Sequence, residues 1–317
     1  MRTKLFAFAV ALAIVTLLPA TLPGGKPPRP APANPEVTYH YDGLKIYVCD
    51  FVGTNKFVLY SGGTFVRSPQ MAPDRRSVYF FEAWGNGPER IRRASFQVVS
   101  GSIDLTGTET ILEAMMSPWQ IALSPDGSRL TFANGSLYEL TICATPPCDP
   151  ATDARLLYTP PADHSIALVG GYSANGLAYY FVESSETSSE IRRLDLTGAG
   201  PPFAAELVLA VPPQSGWPPR FVQPSPLDHG GLETKLLFGV YDKLYTYETW
   251  PGGALVELAG RHAAATWAAD DESAIIAVSI LRGADWLEGP LDRLDVFGNI
   301  TASVSKWGGG LDWTPLP

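Results

Sequence analysis

The stretch "LSPDGSRLTF" (residues 123–132) joins a turn signal to a strand signal. Pro125 restricts its own φ angle, Asp126 can bond back to the backbone, and Gly127 tolerates a positive φ. The residues that follow alternate between polar and apolar, which is typical of a half-buried strand. The stretch therefore predicts a tight turn between two antiparallel strands, and the number of its copies decides the fold.

Similar turn-then-strand units recur along the whole chain. Their third residues are at positions 73, 125, 174, 226, 269 and 315, so the spacings are 52, 49, 52, 43 and 46 residues. The other units begin "MAPDRRSVYFF", "YSANGLAYYFV", "PSPLDHGGLETKLLFGV" (with an insert), "WAADDESAIIAV" and "WTPLP". A period of this size is typical of a four-stranded propeller blade.

The unit around Pro125 can be divided into four strands. They are predicted at residues 119–123, 129–133, 137–143 and 154–159. Asn134-Gly135, between the second and third, is a strong two-residue hairpin signal. Third strands in other units, such as "RIRRASF" and "EIRRLDL", also alternate with a period of two.

The two ends of the repeat region complement each other. Residues 36–62 contain three predicted strands, and residues 311–316 contain only a first strand. Joining them would complete one blade and remove the exposed edges of an open ring. The sequence therefore predicts an all-β fold, a six-bladed β-propeller of four-stranded blades spanning residues 36–317.

The segment "SPDGSRLTFANGSLYEL" resembles the WD40-like propeller repeat of the TolB family, which also occurs in dipeptidyl-peptidase-like enzymes. The resemblance covers roughly residues 36–317 and is closest at 123–140, whereas "YSANG" and "WAADDES" depart from it. TolB has a further α/β domain and the peptidases a hydrolase domain, for which we expect no room in this chain. The resemblance implies the propeller fold, but the repeat alone implies neither partner binding nor peptidase activity.

The N-terminal region predicts export. Residues 1–22 combine a short basic start with an uncharged apolar run, which indicates a signal peptide or, alternatively, an uncleaved membrane anchor. Residues 23–35 form a Pro-rich linker. No Cys follows the apolar run directly, which disfavours a lipoprotein. We expect a periplasmic or extracellular protein.

The chain has three cysteines. Cys143 and Cys148 bracket a turn-like insert, and we predict that they form a disulfide in an oxidising compartment; two free thiols are the alternative. Cys49 lies in an apolar strand-like run with no His close in sequence. We expect a buried small hydrophobe there and not a nucleophile.

Several function classes lack support. The formal charge of −9 disfavours nucleic acid as a partner. No Walker loop, His-Glu-x-x-His motif or pair of Cys-x-x-Cys motifs is present, so we predict no cofactor and no metal site. "GYSANG" around Ser173 lacks the second Gly of a nucleophile elbow. His164 and His262 could share a metal at one channel mouth, although scattered surface histidines are the simpler interpretation.

The candidate ligand face consists of linkers that enter the first strands and hairpins that join second to third strands. Aromatic and Arg side chains there suit sugars, peptides or protein loops, unless they pack between blades. We expect Trp267 and Trp313 to pack in that way. The candidate residues are Arg67, Trp84, Trp119, His164, Trp217, Arg220, His262, Trp286 and Trp307.

The sequence favours non-catalytic binding. We expect an exported monomer that binds a protein, peptide or glycan at its channel face. One alternative is a small hydrolase or lyase in the central channel that uses His164 or His262 with nearby carboxylates. Another is an assembly scaffold in the cell envelope. Four scattered histidines and no acid–base motif favour binding over catalysis.

Overall fold

The computed structural model describes residues 37–41, 44–49, 56–62, 65–83, 89–99, 102–116, 120–198, 200–211, 218–268, 271–279, 288–309 and 313–314. The predicted signal segment and linker, residues 1–35, lie outside these ranges, so the division of the chain into signal, linker and propeller stays a prediction. Within the described ranges, no helix has the length and apolar character needed to cross a membrane.

The fold is all-β with a propeller arrangement, and its strands pair into six four-stranded antiparallel sheets. Sheet 1 contains β1 (Val37–Tyr41), β2 (Lys45–Cys49), β3 (Lys56–Ser61) and, beside β1, β24 (Trp313–Thr314). Sheet 2 contains β4 (Phe65–Met71), β5 (Ser77–Ala83), β6 (Glu89–Val99) and β7 (Ser102–Glu113). Sheet 3 contains β8 (Ile121–Leu123), β9 (Arg129–Asn134), β10 (Ser136–Thr141) and β11 (Ala154–Tyr158).

The remaining sheets continue in chain order. Sheet 4 contains β12 (Ser165–Tyr172), β13 (Ala178–Ser184), β14 (Ser189–Asp195) and β15 (Ala205–Val211). Sheet 5 contains β16 (Phe221–Pro224), β17 (Lys235–Val240), β18 (Lys243–Glu248) and β19 (Leu255–Glu257). Sheet 6 contains β20 (His262–Ala268), β21 (Asp271–Ser279), β22 (Glu288–Asp295) and β23 (Ile300–Gly309). One short helix, α1 (Pro150–Asp153), is present among the described residues.

The C-terminal strand pairs with the N-terminal part of the chain, as the sequence predicts. Thr314 lies opposite Thr38, and Trp313 lies opposite Tyr39. The first strands of successive sheets also contact one another: β4 contacts β8, β8 contacts β12, β12 contacts β16, β16 contacts β20, β20 contacts β24, and β24 contacts β4. First strands of sheets that follow one another in the chain therefore lie next to each other.

The hydrophobic core is divided into clusters between neighbouring sheets. Phe81 of β5 and Phe132 of β9 belong to one cluster that joins sheets 2 and 3. Trp267 is only 1% exposed and packs in the cluster of sheets 5 and 6, as predicted. Because sheets pack on both faces, the second strands β5 and β13 are buried along nearly their whole length.

Side chains also join the edges of neighbouring first strands. The Ser68 hydroxyl accepts a hydrogen bond from the Ile121 N–H (3.1 Å) and lies 3.2 Å from the Ile121 carbonyl oxygen. The Gln120 side-chain oxygen accepts a hydrogen bond from the Val169 N–H at 3.2 Å. These bonds satisfy backbone groups that would otherwise be left on the open edge of each sheet.

A disulfide joins Cys143 and Cys148, whose Cα atoms are 5.6 Å apart. It lies in the connection between β10 and β11. The Cys148 N–H donates to the Ile111 carbonyl oxygen of β7 at 2.7 Å, and Cys148 packs in the cluster between sheets 2 and 3. The disulfide loop therefore helps to hold sheet 3 against sheet 2. The side chain of Cys49 lies outside the described part of the chain.

The turn after β8 requires glycine for two separate reasons. Gly127 has a φ of +71°, which disfavours any residue with a Cβ atom. A Cβ atom at this position would also lie 2.8 Å from Cδ of Pro73, in the corresponding turn of sheet 2. Gly135 has a φ of +70°, but no atom lies within 4 Å of the position that its Cβ atom would take, so it isolates the conformational effect.

We expect Gly127→Ala to lower the free energy of unfolding more than Gly135→Ala does. Both changes place alanine at positive φ, which costs about 1–2 kcal/mol. Only Gly127→Ala also forces Pro73 to move, and such overpacking typically adds about 1–3 kcal/mol. Urea unfolding of the two variants would measure the difference. Equal losses of stability would show that the contact between the turns contributes nothing.

Candidate functional site

In sheets 3 and 4, the turn that follows the first strand is held by its own side chains. In the turn of sheet 3, the Ser124 hydroxyl donates to the Asp126 carboxylate at 2.5 Å and accepts from the Arg129 N–H at 2.9 Å. The bonds from Ser124 and Ser128 lower the pKa of Asp126 to about 2. Ser173 and Asn175 make the matching contact in sheet 4, at 2.8 Å. The polar groups of these turns are therefore satisfied locally.

The ends of four first strands surround a cavity of about 300 Å³, which we name the turn cavity. It is lined from segments 70–73, 122–125, 170–174 and 223–226, which end β4, β8, β12 and β16 and begin the turns after them. The third residue of four of the six repeats borders it, namely Pro73, Pro125, Ala174 and Pro226. The repeat that determines the fold therefore also builds the cavity.

A second, smaller cavity lies further along the same strands. It measures about 40 Å³ and shares Gln70, Gly170 and Gln223 with the turn cavity. Ser68, Gln120 and Phe221 are among its other lining residues. The space therefore narrows with distance from the turns, at the level where side chains join the strand edges.

The lining of both cavities carries no ionisable group apart from one tyrosine. Among the described residues that border them, none is an Asp, Glu, His, Lys, Arg or Cys, and the tyrosine is Tyr172. Tyr172 is buried, and its hydroxyl donates to Glu139 at 2.9 Å. Burial and the charge of Glu139 raise the pKa of Tyr172, so it stays neutral. The described lining can therefore offer amide and hydroxyl hydrogen bonds and apolar contacts, but no Asp, Glu, His, Lys or Cys side chain that could act as a general base.

Only four of the nine candidate residues from the sequence have described side chains, and those four lie away from both cavities. Trp84, Trp119, Trp217 and Trp286 are outside the described residues; Trp307 lies on β23, with only its backbone described. Arg67, His164, Arg220 and His262 do not line either cavity. They precede or begin first strands, whereas the cavity lies where those strands end. The predicted face and the turn cavity are thus at opposite ends of the first strands.

His164 belongs to a cluster between sheets 3 and 4. Its Nδ1 lies 2.6 Å from a carboxylate oxygen of Glu183, a buried residue near the end of β13. The Tyr158 hydroxyl of sheet 3 donates to Glu183 at 2.5 Å, and Arg192 Nε lies 3.2 Å from it. Burial, followed by the hydrogen bond to Glu183, raises the pKa of Tyr158. Both carboxylate oxygens of Glu183 therefore have a partner.

The same arrangement occurs two sheets earlier, between sheets 1 and 2. The Tyr60 hydroxyl donates to Glu82 at 2.6 Å, and Arg92 lies 3.0 Å from the same carboxylate. Burial raises the pKa of Tyr60 to about 12, with Glu82 adding to the effect. Glu82 and Glu183 each follow the third residue of their repeat by nine positions. Because the cluster of Glu, Arg and Tyr recurs at the same position of the repeat, its role is to join neighbouring sheets.

His262 and the two arginines have separate surroundings. His262 is buried, and its Nε2 lies 3.0 Å from the Ala259 carbonyl oxygen. Arg67 stacks over the Phe65 ring at 4.1 Å. Burial lowers the pKa of Arg220, against the opposing effect of Tyr241 and Asp242. Among the described residues, no group of three or more potential metal ligands includes His164 or His262.

Comparison with known proteins supports the fold. No family model and no curated protein sequence matches the chain. Among solved structures, TolB from Acinetobacter baumannii is similar, with a TM-score of 0.55 and 14% identity over 88% of this chain. The match spans 65% of that TolB chain, which is less than two thirds of it. The repeat resemblance to the TolB propeller is therefore confirmed at the level of structure.

Two other similar structures have different roles. A chain from a nidogen/laminin complex matches with a TM-score of 0.62 and 12% identity, over 88% of this chain and 97% of that one. Periplasmic gluconolactonase PpgL from Pseudomonas aeruginosa matches with a TM-score of 0.52 and 16% identity, over 87% of this chain and 83% of that one. At these identities the likeness shows the propeller fold alone.

Sequence reasoning finds the turns but not the cavity that they border. From sequence, the aligned residues Pro73, Pro125, Ala174 and Pro226 are interpreted only as hairpin initiators. Their equal positions in the repeat could have predicted that they lie together, because equivalent residues of a propeller lie at the same level around its axis. The ion pair between Glu82 and Arg92 could have been predicted in a similar way, because the repeat has the same two residue types again at Glu183 and Arg192.

We expect His262→Gln to reduce the pH dependence of stability. Burial lowers the pKa of His262 in the folded protein, so the unfolded chain binds a proton more readily. Wild-type stability should therefore fall as the pH drops from about 6.5, the ordinary histidine pKa, through the lowered folded value. The variant lacks this loss. Free energies of unfolding at about pH 7.5 and 5.5 measure it, and the other three histidines are common to both proteins.

Equal changes in stability for wild type and His262→Gln would contradict this prediction. A steeper fall for the variant would reverse its sign. That result would mean that the folded protein stabilises protonated His262 through nearby acidic groups, of which Asp292 and Asp242 favour the charged form.

Proposed function

We propose that this protein is an exported, non-catalytic β-propeller that binds an uncharged segment of a protein, peptide or glycan in its turn cavity. The observation that carries the proposal is the cavity's lining. It has the dimensions of a small ligand site, converging strands from four sheets and no charged side chain among its described residues.

The lining favours binding over hydrolysis or elimination. General acid–base catalysis needs a titratable side chain within hydrogen-bond reach of the reacting atoms. The described lining provides amides from Gln70 and Gln223 together with apolar side chains. The acid–base pair His164–Glu183 lies between sheets, and its counterpart at Glu82 supports a structural role. A hydrolase or lyase in the channel is therefore the weaker candidate.

The lining also restricts the chemistry of the ligand. The described lining offers a charged group no opposite charge in return for its lost hydration, which costs free energy. Met71, Pro73, Leu123 and Pro125 provide apolar contacts. A neutral segment with apolar groups and one or two hydrogen-bonding groups fits this environment. The formal charge of −9 further disfavours nucleic acid as a partner.

The six sheets are the blades of a closed, monomeric six-bladed ring in this proposal. Two features support it. The first strands contact one another in succession from β4 to β24 and back to β4. The pairing of β24 with β1 joins the two chain ends within one sheet. Closure protects the edges that an open array of sheets would expose.

Export to the periplasm or the extracellular space completes the proposal. The apolar run within residues 1–22 supports it, as does the disulfide between Cys143 and Cys148, because disulfides persist in oxidising compartments. One of the similar structures is named as a periplasmic enzyme. An assembly role in the envelope would be compatible with binding at the same cavity.

The test is to fill the cavity. Ala174 borders it and is half-buried, so Ala174→Trp should obstruct its mouth. Leu177 lies in the same turn, is 39% exposed and does not line the cavity, so Leu177→Trp is the matched control. The probes are N-acetyl-leucine amide and N-acetylglucosamine, which represent a peptide and a glycan. Ligand-observed NMR titrations measure their dissociation constants.

We expect at least one neutral probe to bind wild type and Leu177→Trp alike. Ala174→Trp should raise its dissociation constant about tenfold or more, the effect of losing about 1.4 kcal/mol. The probe that binds, the peptide analogue or the sugar, identifies the ligand class. Binding that survives in Ala174→Trp, or no binding of either probe to wild type, would refute the turn cavity as the ligand site.

A further inference from the structure

Sheet 2 carries a hairpin that is longer than its counterparts. β6 has 11 residues and β7 has 12, whereas the corresponding third strands β2, β10, β14, β18 and β22 have 5 to 8. The last pair between β5 and β6 is Ser77 with Ser95, but β6 stays paired with β7 out to Val99 and Ser102. The described residues beyond this point, 97–99 and 102–105, form what we name the distal hairpin.

One edge of the distal hairpin has no neighbouring strand among the described residues. The Phe96 N–H donates to the Arg76 carbonyl oxygen at 2.7 Å, which is the final bond on the β5 side. Because strand residues alternate in direction, the N–H and C=O groups of Val98 point to the same side as those of Phe96. Within the described chain, no strand pairs with β6 there beyond Ser95. The N–H and C=O groups of Val98 are thus presented to an incoming segment.

The distal hairpin exposes three aliphatic side chains and is weakly protected. Val98, Val99 and Leu105 are 38%, 45% and 47% exposed. Natural edge strands are commonly guarded by Lys or Pro. Residues 94–108 contain no Lys, Arg or Pro, and Asp104 is their one charged residue. An unguarded edge with exposed aliphatic side chains is the surface to which an extended strand adds.

The position of this edge connects it to the turn cavity. Third strands run towards the same end of the sheet as first strands, because all four strands are antiparallel. The open edge begins at Arg76, the last residue of the turn that contains Pro73, and Pro73 borders the turn cavity. A segment that leaves the cavity over this turn would continue along β6. Arg76 is exposed, so its charge favours an acidic residue in that segment.

We propose that the distal hairpin binds an extended segment of a partner protein by strand addition to β6, next to the segment held in the turn cavity. This inference rests on the proposed function for its second contact. The partner segment is free of proline at the paired positions, alternates apolar and polar residues, and carries a carboxylate near Arg76. Backbone bonds to Val98 supply the register, and contacts with the exposed side chains of Val98 and Val99 on β6 supply selectivity.

The test uses a library of random 12-residue peptides, selected on the full-length protein, and the individual peptides that it enriches. Val98→Pro removes the N–H on the open edge and leaves the Gln97 and Val99 bonds to β7 in place. Val98→Ala keeps the N–H and is the matched control. We expect enriched peptides to bind Val98→Pro at least tenfold more weakly than wild type, and Val98→Ala within about threefold.

A second measurement keeps the test independent of the folding of Val98→Pro. Hydrogen exchange of the wild-type protein should show slower exchange at Val98 when an enriched peptide is added. Equal binding to Val98→Pro, unchanged exchange at Val98 or a library without enrichment would overturn the inference. Concentration-dependent dimerisation of wild type that Val98→Pro abolishes would also overturn it, because a second copy would then occupy the edge.

The Ala174→Trp variant separates this inference from the proposed function. Peptides that bind Val98→Pro normally but lose affinity for Ala174→Trp would leave the turn cavity as a binding site and refute strand addition. Peptides that lose affinity for Val98→Pro but bind Ala174→Trp normally would support strand addition to β6. They would also show that the turn cavity is not part of the binding site.

Discussion

The contact between the proline of one turn and the glycine of the next is the constraint on which the structure depends. Pro73 lies so close to Gly127 that a Cβ atom there would be 2.8 Å from it, and Pro125 approaches Gly176 in the following turn, at 3.9 Å from the corresponding position. Both glycines also adopt positive φ angles. Because successive turns fit against each other in this way, the first strands end side by side and leave a cavity between their ends. The residues that stop the strands therefore also shape the site.

The placement of charge follows from the same construction. A carboxylate between two sheets is tolerated only when it is paired, since burial removes its hydration. Glu82, Glu139 and Glu183 meet this condition through arginine and tyrosine partners on neighbouring strands. Within the turns, polar side chains are paired locally, Asp126 with Ser124 and Asn175 with Ser173. Ionisable groups are thus committed to holding the sheets and turns together, and the described lining of the cavity remains neutral.

The sequence predicts the local architecture well, because each repeat carries its own turn and its own alternation. The strands around Pro125 agree with the prediction to within about two residues at each end, and β24 pairs with β1 as the incomplete terminal units require. The site is harder to predict. Trp and Arg residues attract attention in a sequence, but Pro, Gly and Gln acquire a binding role only when several repeats converge. The repeat period and the amino-acid composition do not predict at which end of the first strands a cavity forms.

Ligand selectivity in such a fold must come from departures from the repeat, because equivalent positions around a propeller are nearly alike. The insert that follows Pro226 is one departure. Asn175 of sheet 4 donates to Asp228 at 2.8 Å, and His229 contacts Glu272 of sheet 6 at 2.5 Å, so the insert is fixed from both sides beside the cavity. Ala174 in place of proline is another, and the long hairpin of sheet 2 a third. These features lie on the turn end of sheets 2, 4 and 5. A ligand that approaches this end meets an asymmetric surface, and this asymmetry can fix its orientation where the repeat alone would offer several equivalent ones.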